Sequence, residues 1–174
     1  VTKTSCDLAM IVVDGLSALA VHRHALPLLD LLLPQFDNAG WSCADLLVVE
    51  QGRVAIGDEI GQSLHASLAM VLIGERPGLS APDSLGAYMT WNPALGRTDA
   101  ERNCISNIRT EGLAYQEAAD RIFALASEAR HRRVTGISLK EDRSELLQQP
   151  ARVVALRRPH EGHEDDRGEA RNNR

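Results

Sequence analysis

Aromatic residues are scarce: two Phe, two Trp and two Tyr make up 3% of the 174 residues. So few rings cannot build a stacking platform for single-stranded nucleic acid. Positive charge is not in excess either. Nineteen Lys and Arg stand against 24 Asp and Glu, a net charge of −5, so a phosphate backbone meets no overall basic surface. The three cysteines, Cys6, Cys43 and Cys104, are widely spaced and form no Cys-x-x-Cys pair. That excludes a disulfide framework and a zinc knuckle, and it fits a reducing, cytoplasmic compartment. No apolar run approaches the roughly 18–20 residues of a membrane span, and no signal peptide opens the chain. The dinucleotide glycine fingerprint, the P-loop and the Gly-x-Ser-x-Gly elbow are all missing, which removes the commonest phosphate-binding and serine-hydrolase readings. The first residue is Val1 rather than Met, as in a fragment or a processed chain.

What is present is a set of short apolar runs, each stopped by glycine and an acid. Leu8–Val13 precedes Asp14-Gly15, Leu46–Val49 precedes Glu50-Gln51-Gly52, and Leu68–Ile73 precedes Gly74-Glu75. Continuous runs, rather than alternation, indicate strands covered on both faces. Amphipathic stretches lie between and after them. Ser17 to about Leu33 is one, expected to kink or break at Pro27. Val54–Leu64 is a shorter one, weakened by Gly57 and Gly61. Tyr115–Arg130 has the clearest single apolar face. Leu85–Trp91 reads as a further strand and Gly136–Leu139 as a short last one. The order β-α-β-α-β-β-α-β predicts an open, mostly parallel, Rossmann-like α/β sheet flanked by helices. In such sheets ligands sit outside the carboxyl ends of the strands, where Gly15, Gly52 and Gly74 would gather.

Glu141–Arg174 differs. Eight acidic and seven basic residues occur there, with no aromatic, too little apolar surface to offset the entropy of ordering. The expected division is an α/β domain over 1–140 and a charged, disordered tail over 141–174. His22 and His24, two residues apart, point about 200° apart on a helix; they make a poor metal pair and read as surface histidines.

Three segments are more particular than generic core. They are Val49-Glu50-Gln51-Gly52-Arg53-Val54-Ala55-Ile56-Gly57-Asp58-Glu59-Ile60-Gly61, Gly74-Glu75-Arg76-Pro77-Gly78-Leu79-Ser80 with Asp83-Ser84-Leu85, and Thr98-Asp99-Ala100-Glu101-Arg102-Asn103-Cys104-Ile105-Ser106-Asn107-Ile108. The second is a conformationally restricted polar loop at a strand end, a plausible ligand-binding element. Together with Asp14–His22, these segments resemble the small subunit of ethanolamine ammonia-lyase, in that family's order and near its spacing, from about Asp7 to Lys140. The family's small subunit has a further N-terminal part that this sequence lacks, and the residues after about Asp142 match nothing in it.

The resemblance implies an adenosylcobalamin-dependent enzyme that converts ethanolamine to acetaldehyde and ammonia by a radical route. It also implies a large-subunit partner, a TIM barrel holding the substrate and most catalytic groups, in a hetero-oligomer often housed in a bacterial microcompartment. No catalytic residue and no metal ligand falls to this chain. Three positions carry over as cobalamin contacts: Val54, Glu75 and Cys104. Read without the family, Val54 is core, Glu75 a solvated loop acid and Cys104 a small buried hydrophobe. Arg76 either touches the cofactor or pairs with Glu75 or Asp83. No histidine follows an aspartate by two residues, which favours a cofactor that keeps its own benzimidazole ligand. Two other readings stand beside this one: an α/β small-molecule binding module, and an inactive piece of the lyase subunit.

Overall fold

The computed structural model describes residues 5–78, 81 and 83–139; the expected tail lies outside the described residues. Five strands, β1 (Cys6–Val13), β2 (Leu47–Val49), β3 (Ala66–Gly74), β4 (Leu85–Trp91) and β5 (Arg102–Ile108), form one sheet in the order β2-β1-β3-β4-β5. Three helices accompany them: α1 (Ala18–Asn38), α2 (Ile56–Ser63) and α3 (Tyr115–Arg132).

Two of the three apolar runs, β1 and β3, are strands buried on both faces; the third forms the edge strand β2, where Val48 is 74% exposed, so the expected two-sided cover fails there. Along β1, Leu8, Met10 and Val12 pack under α1 and α3, with Leu28, Leu32, Phe36 and Ile122. The alternate residues Ala9, Ile11 and Val13 pack under α2, with Val71, Ile73 and Ile56. Side chains alternate across a strand, so covering both faces requires an unbroken apolar run.

The α/β architecture is as expected, but the sheet is mixed. β2, β1 and β3 run parallel, whereas β3–β4 and β4–β5 are antiparallel. β5 is a strand for which the sequence offers no hydrophobic cue. Residues 137–139 form a helical turn instead of a last strand. Gly136 stands at φ +86°, so close to the Ala100 carbonyl that a Cβ would lie 2.1 Å from it.

α1 runs unbroken through Pro27 and Pro34, capped by the Ser17 hydroxyl, which accepts from the Ala20 amide. Each proline releases the carbonyl four residues earlier. Those residues, Arg23 and Asp30, are exposed, so water can take the carbonyls, while the buried face from Ala20 to Phe36 holds the helix in place. The glycines of α2 have a packing reason. A Cβ on Gly57 would lie 2.4 Å from Val71 Cγ2, and one on Gly61 would lie 2.5 Å from Pro93 Cγ. Two glycines let this short helix sit close to the sheet, which outweighs their poor propensity. Among the described residues, no helix is long and apolar enough to cross a membrane.

Candidate functional site

The carboxyl ends of the three parallel strands meet in a tight junction. Gly15, at φ +60°, packs against Ile73, and Gly74 packs against the Asp14 and Ser17 carbonyls; a Cβ on either would overlap its neighbours. The Asp14 carboxylate accepts from the Gln51 amide (2.8 Å) and the Gly52 amide (3.3 Å), joining the end of β1 to the loop after β2. The Gln51 amide above all holds the Asp14 carboxyl below the usual range. Arg53 closes the junction by donating to the Gly15 and Gly52 carbonyls.

The described residues cover the face of the sheet that carries α2 only in part. The helix packs over β3 and β1, and the same face continues across β4 and β5. Ile11, Val71, Tyr88 and Cys104 lie in one cross-strand row. The first two are buried, Tyr88 is half-buried, and Cys104 and Ser106 are exposed, with Sγ and Oγ 3.1 Å apart. Burial, and then the Cys104 thiol beside it, push the Tyr88 hydroxyl well above the ordinary phenol range.

Glu75 continues β3 by one ladder bond, its amide donating to the Ser84 carbonyl. Strand alternation carries its side chain to the same face as Val71 and Ile73. One carboxylate oxygen, Oε2, accepts from the Ser84 hydroxyl (2.7 Å) and the Asn107 amide (3.1 Å). The other, Oε1, lies over Gly86, where a Cβ would stand 2.8 Å from it and 3.1 Å from the Tyr88 ring. Glycine at 86 makes room for the acid. The Asn107 donor is aimed by a β-bulge: β5 carries one extra residue opposite the Leu85–Ala87 stretch of β4, and Asn107 adopts φ +60° there. Bulges re-aim groups in this way, and non-glycine residues at positive φ are uncommon outside such positions.

Val54 is half-buried in the turn that leads into α2, its carbonyl accepting from the Gly57 amide. Val54 and Tyr88 both border the apolar cluster beneath α2. The three candidate positions thus share one side of the sheet. Cys104 pairs across the strands with Tyr88, and Glu75 lies over Gly86 next to that same ring.

Gly86 and Tyr88 have no signature in the sequence and enter only through strand register. Ser84 and Asn107 lie in segments the sequence singles out, but their aim at Glu75 shows only in the register and the bulge. A buried ion pair anchors the arrangement: Asp58 of α2 takes Arg102 of β5 through two 2.6 Å contacts, with side chains 3% and 4% exposed. Thr90 Oγ1 and the Arg97 carbonyl accept further bonds from that guanidinium, and Asp58 above all keeps it charged. His24 is not a surface residue as expected. It is buried, bonded to Asp83 and Tyr115. Asp83 pairs with Arg23 and His24, which leaves Arg76 exposed.

An open α/β sheet with polar loops at the carboxyl ends of its parallel strands belongs to the class that takes ligands along that edge. The particular family is established by similarity. The model of the ethanolamine ammonia-lyase light chain (EutC) family matches residues 1–140, and the chain belongs to that family. It is similar to the ethanolamine ammonia-lyase small subunits of Azotobacter vinelandii and of Pseudomonas fluorescens strain Pf0-1. Each is 60% identical over 136 residues, covering 78% of this chain and 50% of the relative. The small subunit of Pseudomonas syringae pv. tomato is 57% identical over 136 residues, covering 78% of this chain and 47% of its own. The chain spans about half the length of the curated relatives it matches.

Proposed function

We propose that this chain supplies the cobalamin-covering α/β portion of an adenosylcobalamin-dependent ethanolamine ammonia-lyase, working against a large subunit that holds ethanolamine. The observation that carries the reading is Glu75. An acid with two fixed donors on Oε2 and a glycine beneath Oε1 is a directed acceptor at the border of an open sheet face. That geometry fits a large disc fringed with amide groups, which offers N–H donors at its rim and a broad apolar body. The bound cofactor would supply homolysis of a weak cobalt–carbon bond, the source of the radical chemistry.

The tasks of this chain are binding and exclusion. Glu75 accepts an amide N–H from the rim. Val54 gives an apolar contact from the start of α2, and Cys104 a small, soft contact from β5. The half-buried Tyr88 ring forms the floor between them. No catalytic group is assigned to these residues; hydrogen abstraction and rearrangement would take place on the large-subunit side, with water kept out by the docked face. Residues 1–140 constitute the working domain, and the setting is the cytoplasm or a bacterial microcompartment dedicated to ethanolamine.

The test is acetaldehyde formation from ethanolamine by a family large subunit with adenosylcobalamin, with and without this chain. Activity that depends on the chain supports the reading. If a full-length small subunit restores activity and this chain does not, the chain is an inactive piece or a separate small-molecule binder, and the proposal fails.

A further inference from the structure

We propose that His24 is a positioning residue for Glu75: from inside α1 it ties together the two loops that aim donors at that carboxylate. The inference rests on the reading of Glu75 as a cofactor contact. His24 is 5% exposed. Its Nε2 lies 3.2 Å from Asp83 Oδ2, and its Nδ1 lies 2.8 Å from the Tyr115 hydroxyl. With the proton on Nε2, His24 donates to Asp83 and accepts from Tyr115. The two partners belong to different loops. Asp83 immediately precedes Ser84, whose hydroxyl donates to Glu75. Tyr115 opens α3 and ends the segment that starts at Asn107, whose amide is the second donor to Glu75. The Tyr115 hydroxyl also lies 3.4 Å from Thr110 Oγ1, within that segment. Arg23, one residue before His24, takes the same Asp83 oxygen at 2.7 Å. One turn of α1 therefore fixes Asp83 from two side chains and Tyr115 from one, which ties to that turn both loops carrying the donors to Glu75.

A histidine that merely fills the core would affect folding without regard to Glu75. Affinity for the cofactor separates the two roles, read as the absorbance change when hydroxocobalamin is titrated into the chain assembled with a family large subunit. His24→Leu should weaken binding about five- to tenfold, the loss expected when hydrogen bonds that orient a charged acceptor are removed. His24→Gln, whose amide nitrogen can still donate to Asp83, should recover part of that loss. In a Glu75→Ala background, His24→Leu should add less than about a twofold effect, because the two changes act through one contact. Independent losses that multiply in the double variant would overturn the inference while leaving Glu75 as a contact. Wild-type affinity in Glu75→Ala alone would sink the cofactor reading of Glu75, and this inference with it. Should His24→Leu fail to assemble, Tyr115→Phe removes a single hydroxyl. It should weaken binding about two- to fivefold in the wild-type background only, and unchanged affinity there would overturn the proposal.

Discussion

Gly86→Ala perturbs the site while asking almost nothing of the fold. Gly86 lies in β4 and its φ is not positive, so the alanine backbone is unstrained. Exchanging glycine for alanine in a strand is favourable by roughly 0.5–1 kcal/mol in backbone entropy. The new methyl would stand 2.8 Å from Glu75 Oε1, against 3.4 Å or more for ordinary contact, so the carboxylate must retreat by about 0.6 Å. It is the end of a flexible side chain on a partly open face, and it can move. The global cost should therefore stay within about 1 kcal/mol by urea unfolding. Binding is a different matter. A hydrogen bond to a charged group contributes about 1.5–3 kcal/mol, so an acceptor pushed out of line should weaken cobalamin binding about 10- to 100-fold. Gly57→Ala is the opposite control. Its methyl would stand 2.4 Å from Val71 Cγ2 inside the core, and overpacking of that kind costs about 1–3 kcal/mol. Urea melts and cobalamin titrations of the two variants check the contrast. If Gly86→Ala binds cobalamin like the wild type, or unfolds as easily as Gly57→Ala, the account of Gly86 as space for the acid is refuted.

Three further outcomes follow from the same geometry. Asp58→Asn leaves buried Arg102 with only a 3.4 Å contact to the exposed Asp99 carboxylate as its ion pair and should destabilise the domain by about 3 kcal/mol, the low end for breaking a buried pair, whereas replacing both partners with apolar residues should restore most of the loss; urea midpoints measure both. The Thr98 amide first, and then Arg97, push the Glu101 carboxyl down to about 2. A depressed carboxyl contributes stability above its unfolded value near 4.5 and loses it as pH falls toward about 2, so Glu101→Gln should lower the urea midpoint at neutral pH and reduce its fall between about pH 4.5 and 2. The exposed Cys104 thiol should be alkylated by iodoacetamide in the isolated chain and protected once cobalamin and the large subunit are added; peptide mass mapping separates it from exposed Cys43, and equal labelling in both states would count against the site.

The parallel half of the fold is legible in the sequence because burial on both faces leaves an unbroken apolar run, as at Leu8–Val13 and Leu68–Ile73. The direction of β4 was available but indirect. Ten residues separate Gly74 from Leu85, fewer than the dozen or more that a parallel return needs. β5 hides for a different reason. Two of its three buried residues, Arg102 and Asn103, are polar, satisfied by Asp58 and by both backbone groups of Gly136, and the third, Ile108, stands alone at its end, so hydrophobic periodicity cannot find the strand. His24 looked like a surface residue because its partners Asp83 and Tyr115 lie 59 and 91 positions away. The roles of Val54, Glu75 and Cys104 came from family likeness, although the loop of Glu75 already read as a ligand-binding element; Gly86, and the aim of Ser84 and Asn107 at Glu75, required the register and the bulge.

The Asp58–Arg102 pair has a mechanical meaning beyond its stability. It moors α2 to the outer edge strand, with the guanidinium also held on the way by Thr90 of β4. The helix beside the bare lane is thereby held at a set distance from the lane's far bank, like the jaws of a caliper locked by a single pin. On the proposed cofactor reading, a ligand arriving there would find a seat whose breadth is already decided, and little of its binding energy would go into arranging the protein.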